Sequence, residues 1–104
     1  MSGPTSLSVS NSTCKQLALN WNDNASGESG YRIYRGTSSG NLSELTTVPA
    51  NRTSYTDPPP SVNQTYYYQV QAYQGSGPDS PRSNEADAMN LPCSANLNNS
   101  SYTL

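Results

Sequence analysis

The chain has 104 residues, which is enough for one domain with a modest hydrophobic core. Its net charge is -2 and its five Lys and Arg residues are scattered, so the sequence shows no basic surface that would bind nucleic acid. No apolar run approaches the roughly 18 residues of a transmembrane helix, so no membrane insertion is expected. The hydrophobic fraction is low at 32%, but eight Tyr and one Trp recur periodically, which indicates a folded β domain with polar loops rather than disorder.

Alternation of apolar and polar residues, typical of half-buried strands, recurs along the chain. The predicted strands, in chain order, are residues 4–10, 15–21, 31–35, 41–48, 53–56, 65–73 and 82–89. Polar turns separate them, including residues 11–13, and three prolines at 58–60 end the fifth strand because proline cannot donate to a ladder. The clearest alternation is TYYYQVQAY, the sixth strand. Seven short strands about ten residues apart predict an all-β, antiparallel β-sandwich.

An ordered set of motifs resembles a fibronectin type III domain, of the kind common in prokaryotic extracellular proteins, over about residues 4–90. The motifs are Trp21 at the end of the second strand, GYRIYRG at 30–36, SYTD at 54–57, TYYYQVQA at 65–72 and SNEADA at 83–88. The resemblance implies a seven-stranded, immunoglobulin-like sandwich with Trp21 in its core. We assign residues 1–90 to this sandwich and residues 91–104 to a polar C-terminal tail tied by Cys93.

The resemblance also gives Tyr66 a role as the corner tyrosine, whose hydroxyl bonds a backbone group upstream. Such domains usually carry a leucine six residues before this tyrosine. Here that position is Pro60, so Val62 is expected to fill the space as the nearest apolar residue.

The two cysteines can be placed on such a sandwich, whose strands alternate in direction. Cys14 follows the first strand and Cys93 follows the seventh, so both are expected at the same pole and can form a disulfide. This bridge would stabilise the fold by roughly 4–5 kcal/mol on the chain-entropy model. Two free thiols in a reducing compartment remain the alternative.

Seven Asn-x-Ser/Thr sequons favour an exported, N-glycosylated protein. The candidate glycosylation sites are Asn11, Asn24, Asn41, Asn51, Asn63, Asn98 and Asn99. Asn-rich loops that create sequons by accident are the alternative. With the predicted disulfide, the sequons favour an extracellular or cell-surface location.

Catalytic chemistry finds no support in the residues. The chain lacks His, the commonest general base, and lacks a CxxC pair that would bind zinc. We therefore expect no enzyme, no metal site and no cofactor. Asp23 and Glu28 share a loop that we interpret as solvated, because a calcium site needs more oxygen ligands. Asp57 is interpreted as a turn residue that bonds its own backbone.

Three tyrosines on outward strand positions, Tyr34, Tyr67 and Tyr73, form a candidate contact surface for glycans or for a protein. The alternative is that they only stabilise the sheet through cross-strand pairs. The favoured function is a non-catalytic spacer or adhesion module of a cell-surface or filamentous assembly, whose partners are neighbouring domains or identical subunits. The second hypothesis is a carbohydrate-binding accessory domain of a secreted polysaccharide-degrading enzyme.

The tail after Cys93 also has two interpretations. It is either a linker or a donated strand, in which Leu97, Tyr102 and Leu104 pair with a neighbour's sheet edge.

Overall fold

The computed structural model describes residues 1–75 and 77–93. Its strands are β1 (Thr5–Thr13), β2 (Gln16–Asn22), β3 (Gly30–Gly36), β4 (Ser43–Pro49), β5 (Ser54–Asp57), β6 (Gln64–Tyr73) and β7 (Ala86–Asn90). One sheet has the order β1-β2-β5 and the other the order β4-β3-β6-β7, with all neighbours antiparallel. The predicted seven-stranded antiparallel sandwich is confirmed. In the described part of the chain, no helix has the length and apolar character needed to cross a membrane.

The core lies between the sheets and is built by every second residue of β2, β3 and β6. Trp21 of β2 is 4% exposed and packs at a tilt on Tyr31 of β3, with ring centroids 5.6 Å apart. Tyr68 and Val70 of β6 and Leu19 of β2 are fully buried. The period-two pattern therefore places the core correctly, since one face of each of these strands is covered by the opposite sheet.

β1 is longer than the sequence pattern predicts, so the predicted turn at residues 11–13 is wrong. Thr13 pairs with Gln16, and Cys14 and Lys15 form the two-residue connection between β1 and β2. Lys15 has a φ of 63°, in the left-handed region that residues other than glycine rarely adopt. Asn and Ser at residues 10–12 look like turn residues, but tertiary pairing keeps them in the strand.

β7 starts later than predicted, because prolines interrupt the chain that runs beside the end of β6. Ser80 and Ser83 pair with β6 through both backbone and side chain. The Ser80 N–H donates to the Ala72 carbonyl at 3.0 Å, and the Ala72 N–H donates to the Ser80 hydroxyl at 3.0 Å. Ser83 repeats the arrangement with Val70, at 2.7 and 3.0 Å. Pro81 cannot continue a ladder, so the two hydroxyls complete the β6 edge in its place.

The corner before β6 is held as the resemblance implies, but its filling differs. The Ser61 N–H donates to the Tyr66 hydroxyl at 3.0 Å. Val62 is 38% exposed, so the expectation that it fills the space is wrong. Pro59 is buried there instead, and the fully buried Asn90 side chain donates to the Pro59 and Ser61 carbonyls at 3.4 and 2.8 Å.

Candidate functional site

The three predicted tyrosines lie on the outer face of the four-stranded sheet, which we call the tyrosine face (Tyr34, Tyr67 and Tyr73). Tyr67 and Tyr73 belong to β6 and lie opposite Gly36 and Gly30 of β3. Tyr34 of β3 lies between them along the sheet, opposite Gln69. Six residues along one strand separate Tyr67 from Tyr73 by about 20 Å, so the rings share a face without forming one continuous aromatic surface.

Arg82 covers the ring of Tyr34. Its guanidinium carbon lies 3.7 Å from the ring centroid, and the Tyr34 hydroxyl donates to Gln71 Oε1 at 2.7 Å. Tyr34 is therefore only 8% exposed, although it lies on the outward side of the sheet. Strand periodicity indicates the direction of this side chain, but the covering arginine comes from a segment far along the chain.

Tyr73 is covered in a similar way by Arg32, whose guanidinium carbon is 4.4 Å from the ring centroid. Arg32 also pairs with Asp79 at 2.5 Å and with Glu44 at 3.6 Å. Tyr73 also lies close to Gly30, where an added Cβ would be 3.1 Å from both Cε1 and the hydroxyl oxygen of the tyrosine. Two of the three tyrosine rings are thus engaged within the domain itself.

A group formed by buried Asp57, buried Tyr68 and half-buried Arg35, which we call the inter-sheet cluster, joins the two sheets. Asp57 is 2% exposed and accepts hydrogen bonds from Arg35 Nη1 at 3.0 and 3.2 Å and from the Tyr68 hydroxyl at 2.5 Å. Burial and the hydrogen bond to Asp57 raise the pKa of Tyr68 above its usual range. The prediction that Asp57 is a turn residue is wrong, because Asp57 pairs with Leu17 inside β5 and its side chain enters the space between the sheets.

The loop before β3 uses its carboxylates in a similar way. Asp23 accepts hydrogen bonds from the Tyr31 hydroxyl and, at 3.1 Å, from the Ala25 N–H. Glu28 is 8% exposed and accepts from the Asn51 N–H at 3.1 Å, so the interpretation of a solvated loop is wrong for this residue. Burial, followed by the hydrogen bond to Asp23, raises the pKa of Tyr31. Among the described residues, no group of three or more His, Cys, Asp or Glu is placed to hold a metal ion.

The cysteines form a disulfide at the pole where β1 and β7 end, which we call the disulfide pole. The Cα atoms of Cys14 and Cys93 are 4.8 Å apart. Beside the bridge, the Lys15 N–H donates to the Leu91 carbonyl at 2.8 Å. β1 begins at the opposite pole, where Thr5 pairs with Asn22, so the described chain starts at one pole and reaches Cys93 at the other.

Comparison with known proteins decides the family. The chain matches the model of the fibronectin type III domain over residues 2–88. It belongs to this family. Among solved structures, a fibronectin type III-like protein from Clostridium thermocellum is 33% identical with a TM-score of 0.70, and the match covers 83% of this chain and 88% of that one. A search of curated protein sequences finds no match.

Parts of two enzymes and of titin share the fold of this fibronectin type III domain. A β-1,2-glucanase from Parabacteroides distasonis is 19% identical with a TM-score of 0.72, and the match covers 88% of this chain and 13% of that one. A pectate lyase from Pectobacterium carotovorum is 21% identical with a TM-score of 0.72, over 88% of this chain and 28% of that one. Domains A168–A170 of titin are 20% identical with a TM-score of 0.71, and the match covers 86% of this chain and 32% of that one.

The sequons of this fibronectin type III domain differ in their surroundings. The Asn24 amide donates to the Gly3 carbonyl at 3.2 Å and to the Thr5 hydroxyl at 2.8 Å, and the Asn11 amide donates to the Met89 carbonyl at 2.8 Å. Three further sequons have exposed Asn side chains in the connections between strands: Asn41, Asn51 and Asn63. Asn98 and Asn99 lie outside the described residues, as do Leu97, Tyr102 and Leu104 of the predicted donated strand.

The sequence interpretation missed the residues that hold the tyrosine face and the sandwich edge together. The sequence pattern does not connect Arg32 or Arg82 with the tyrosines, and it places Ser83 in an ordinary strand and Ser80 in a loop. One signal was available for the serines, because S-P-x-S places a hydroxyl on either side of a proline that cannot pair.

Proposed function

We propose that this domain is a non-catalytic structural module of an extracellular or cell-surface protein, where it acts as a spacer or adhesion unit between neighbouring domains or identical subunits. The observation that carries the proposal is the path of the chain. It starts at one pole of the sandwich, and the disulfide fixes it at the other. Modules with this path can follow one another in a line.

The arrangement of the charged groups supports the same proposal. Asp57 and Arg35 link the sheets, Asp23 and Glu28 satisfy groups of neighbouring loops, and Arg32 is paired with two carboxylates. These groups stabilise the domain and are already occupied by partners within it. Disulfides persist in oxidising compartments, which favours a location outside the cytosol.

The related structures show the fold as one part of larger proteins. The match spans 28% of the pectate lyase and 13% of the glucanase, and it spans about a third of the titin segment. A module joined to other domains is the corresponding role for this chain.

A carbohydrate-binding role is the second candidate, favoured by three tyrosines on one sheet face and by the two polysaccharide-degrading enzymes with this fold. Stacking on a sugar needs an open ring face. Arg82 lies on the ring of Tyr34 and Arg32 on that of Tyr73, so the geometry favours the structural role.

Retention of the domain on insoluble polysaccharides distinguishes the structural role from the carbohydrate-binding role. If the role is structural, neither the unaltered domain nor its Tyr67→Ala variant should be retained on any polysaccharide of a panel that includes pectin and β-glucan. Retention of the unaltered domain that is lost on Tyr34→Ala or Tyr67→Ala would establish the carbohydrate-binding role instead. Tyr55→Phe, on β5 of the other sheet, serves as the matched control because it leaves the tyrosine face intact.

A further inference from the structure

We infer that the domain transmits tension from pole to pole through β1 and the Cys14–Cys93 disulfide, and that the other strands carry none of the load. The inference rests on the proposed role as a structural module and specifies what such a module does under force.

The covalent path between the two chain ends carries the argument. In the oxidised protein the shortest path runs through residues 1–14, crosses the disulfide and continues from Cys93. The chain between the cysteines, with a sequence separation of 79, is a closed loop whose two ends the disulfide holds together, with the Cα atoms 4.8 Å apart. Tension on the ends therefore cannot pull that loop apart, even though it contains β2 to β7.

The part of the path inside the domain is already extended. β1 has 9 residues, and at about 3.3 Å per residue it spans about 30 Å. Its register against β2 shifts twice, between Thr5 and Ser8 and between Ser10 and Thr13, and each shift gives β1 one residue more than its partner strand. Straightening two extra residues releases at most about 7 Å, so even complete detachment of β1 lengthens the path by less than about 10 Å.

The noncovalent contacts of β1 hold the strand in place but are not part of the covalent path that carries the tension. The Asn84 side chain accepts from the Leu7 N–H at 2.9 Å and donates to the Leu7 carbonyl at 3.0 Å, which ties β1 to the segment before β7. Near the other end of β1, the Asn11 amide bonds the Met89 carbonyl. These bonds keep the strand seated on both sheets, while the tension itself runs along covalent bonds.

The disulfide decides whether the domain can extend. Without it, tension passes through every strand, and unfolding releases the chain between the cysteines, which adds roughly 270 Å at about 3.5 Å per residue. Oxidised and reduced forms of the same fold thus differ in extensibility at least about 20-fold, by comparison of these two lengths.

Single-molecule force spectroscopy on the full chain, held at both ends through reference domains of known unfolding length, tests the inference. Protein shown by thiol titration to have no free thiol is expected to give no step longer than about 10 Å. The Cys14→Ser/Cys93→Ser double variant is expected to give a step of roughly 270 Å. Residues after Cys93 contribute equally to both and cancel in the comparison.

If the double variant does not fold, reductant can instead be added to the unaltered protein while it is held under load. The long step is then expected to follow reduction. A long step from the fully oxidised protein, or no long step after reduction, would overturn the inference. Polysaccharide retention that depends on Tyr67 would contradict the proposed structural role, yet it would leave these step lengths unchanged. The two failures are therefore distinguishable.

Discussion

Replacing Asp57 by Asn tests how strongly the inter-sheet cluster holds the two sheets together. The substitution keeps the size of the side chain but removes the negative charge that pairs with Arg35 at 3.0 Å. It also replaces one carboxylate oxygen with an amide, so the Tyr68 hydroxyl or the guanidinium loses an acceptor. The change leaves a guanidinium between the sheets without its counter-ion.

Removing one partner of a buried ion pair costs roughly 3–5 kcal/mol. The Asp57 side chain is 3% exposed, but that of Arg35 is 22% exposed, so water can partly solvate the guanidinium that is left behind. We therefore expect a loss of about 3 kcal/mol, at the lower end of this range. For a domain of this size the melting temperature would fall by roughly 10–20 °C.

Urea unfolding followed by the fluorescence of Trp21, the one tryptophan of the chain, measures the effect. The midpoint should fall without a change in the slope m, because the surface exposed on unfolding stays the same. Asp87→Asn, at an exposed position of β7, is the matched control and should change stability by less than about 0.5 kcal/mol. If Asp57→Asn costs no more than Asp87→Asn, the inter-sheet cluster does not hold the sheets together.

Four further substitutions test other parts of the fold. Ser80→Ala removes the hydroxyl that accepts the buried Ala72 N–H, so stability should fall by about 1–2 kcal/mol and hydrogen exchange of that amide should accelerate. The raised pKa of Tyr31 means that the folded state keeps a proton that an unfolded tyrosine loses near pH 10. The stabilising contribution of the Tyr31 proton is therefore fully present below about pH 10 and is lost above it by up to about 1.4 kcal/mol per pH unit. Tyr31→Phe should make the alkaline slope of the unfolding free energy shallower by this share in urea titrations, while Tyr68, whose pKa is also raised, keeps its own contribution. Asn90→Ala should cost about 2 kcal/mol by loss of its buried hydrogen bonds, whereas Val62→Ala should cost less than about 0.5 kcal/mol in the same assay.

Each of these outcomes has a contradicting result. Ser38→Ala, in the exposed turn after β3, is the control for Ser80→Ala, and equal exchange rates in the two variants would mean that the serine hydroxyl does not complete the β6 edge. If the unfolding free energy of Tyr31→Phe falls with the same alkaline slope as that of the unaltered protein, Tyr31 does not contribute to the loss of stability at high pH. A larger loss of stability from Val62→Ala than from Asn90→Ala would mean that an apolar side chain, and not Asn90, stabilises the corner before β6.

The fold could be predicted where its signals are local. Alternation in β2, β3 and β6 follows from one buried face per strand, so Trp21 and Tyr68 could be placed in the core from the sequence. The hairpin at Lys15 could not, because its positive φ depends on the register of β1 with β2. The role of Asp57 could not be predicted for a similar reason: its partner Arg35 lies on the other sheet, and no local pattern indicates a pair between sheets.

The candidate site shows the same division. Period-two alternation gives the outward direction of Tyr34, and the strand directions give a common pole for Cys14 and Cys93. The exposure of Tyr34 depends on Arg82, which reaches it from the segment beside β6. Side chains that arrive from another part of the chain decide whether an outward aromatic ring is open to a ligand, and strand periodicity carries no information about them.

Both the extracellular structural role and the transmission of tension require that the two cysteines of the natural protein form a disulfide. The intact mass of that protein, measured before and after reduction and after alkylation, tests this requirement. We expect one closed disulfide, with no thiol available for alkylation until reductant is added, and Cys14 linked to Cys93 in the non-reduced digest. Two freely alkylated thiols in the natural protein would contradict both the extracellular structural role and the transmission of tension through the bridge.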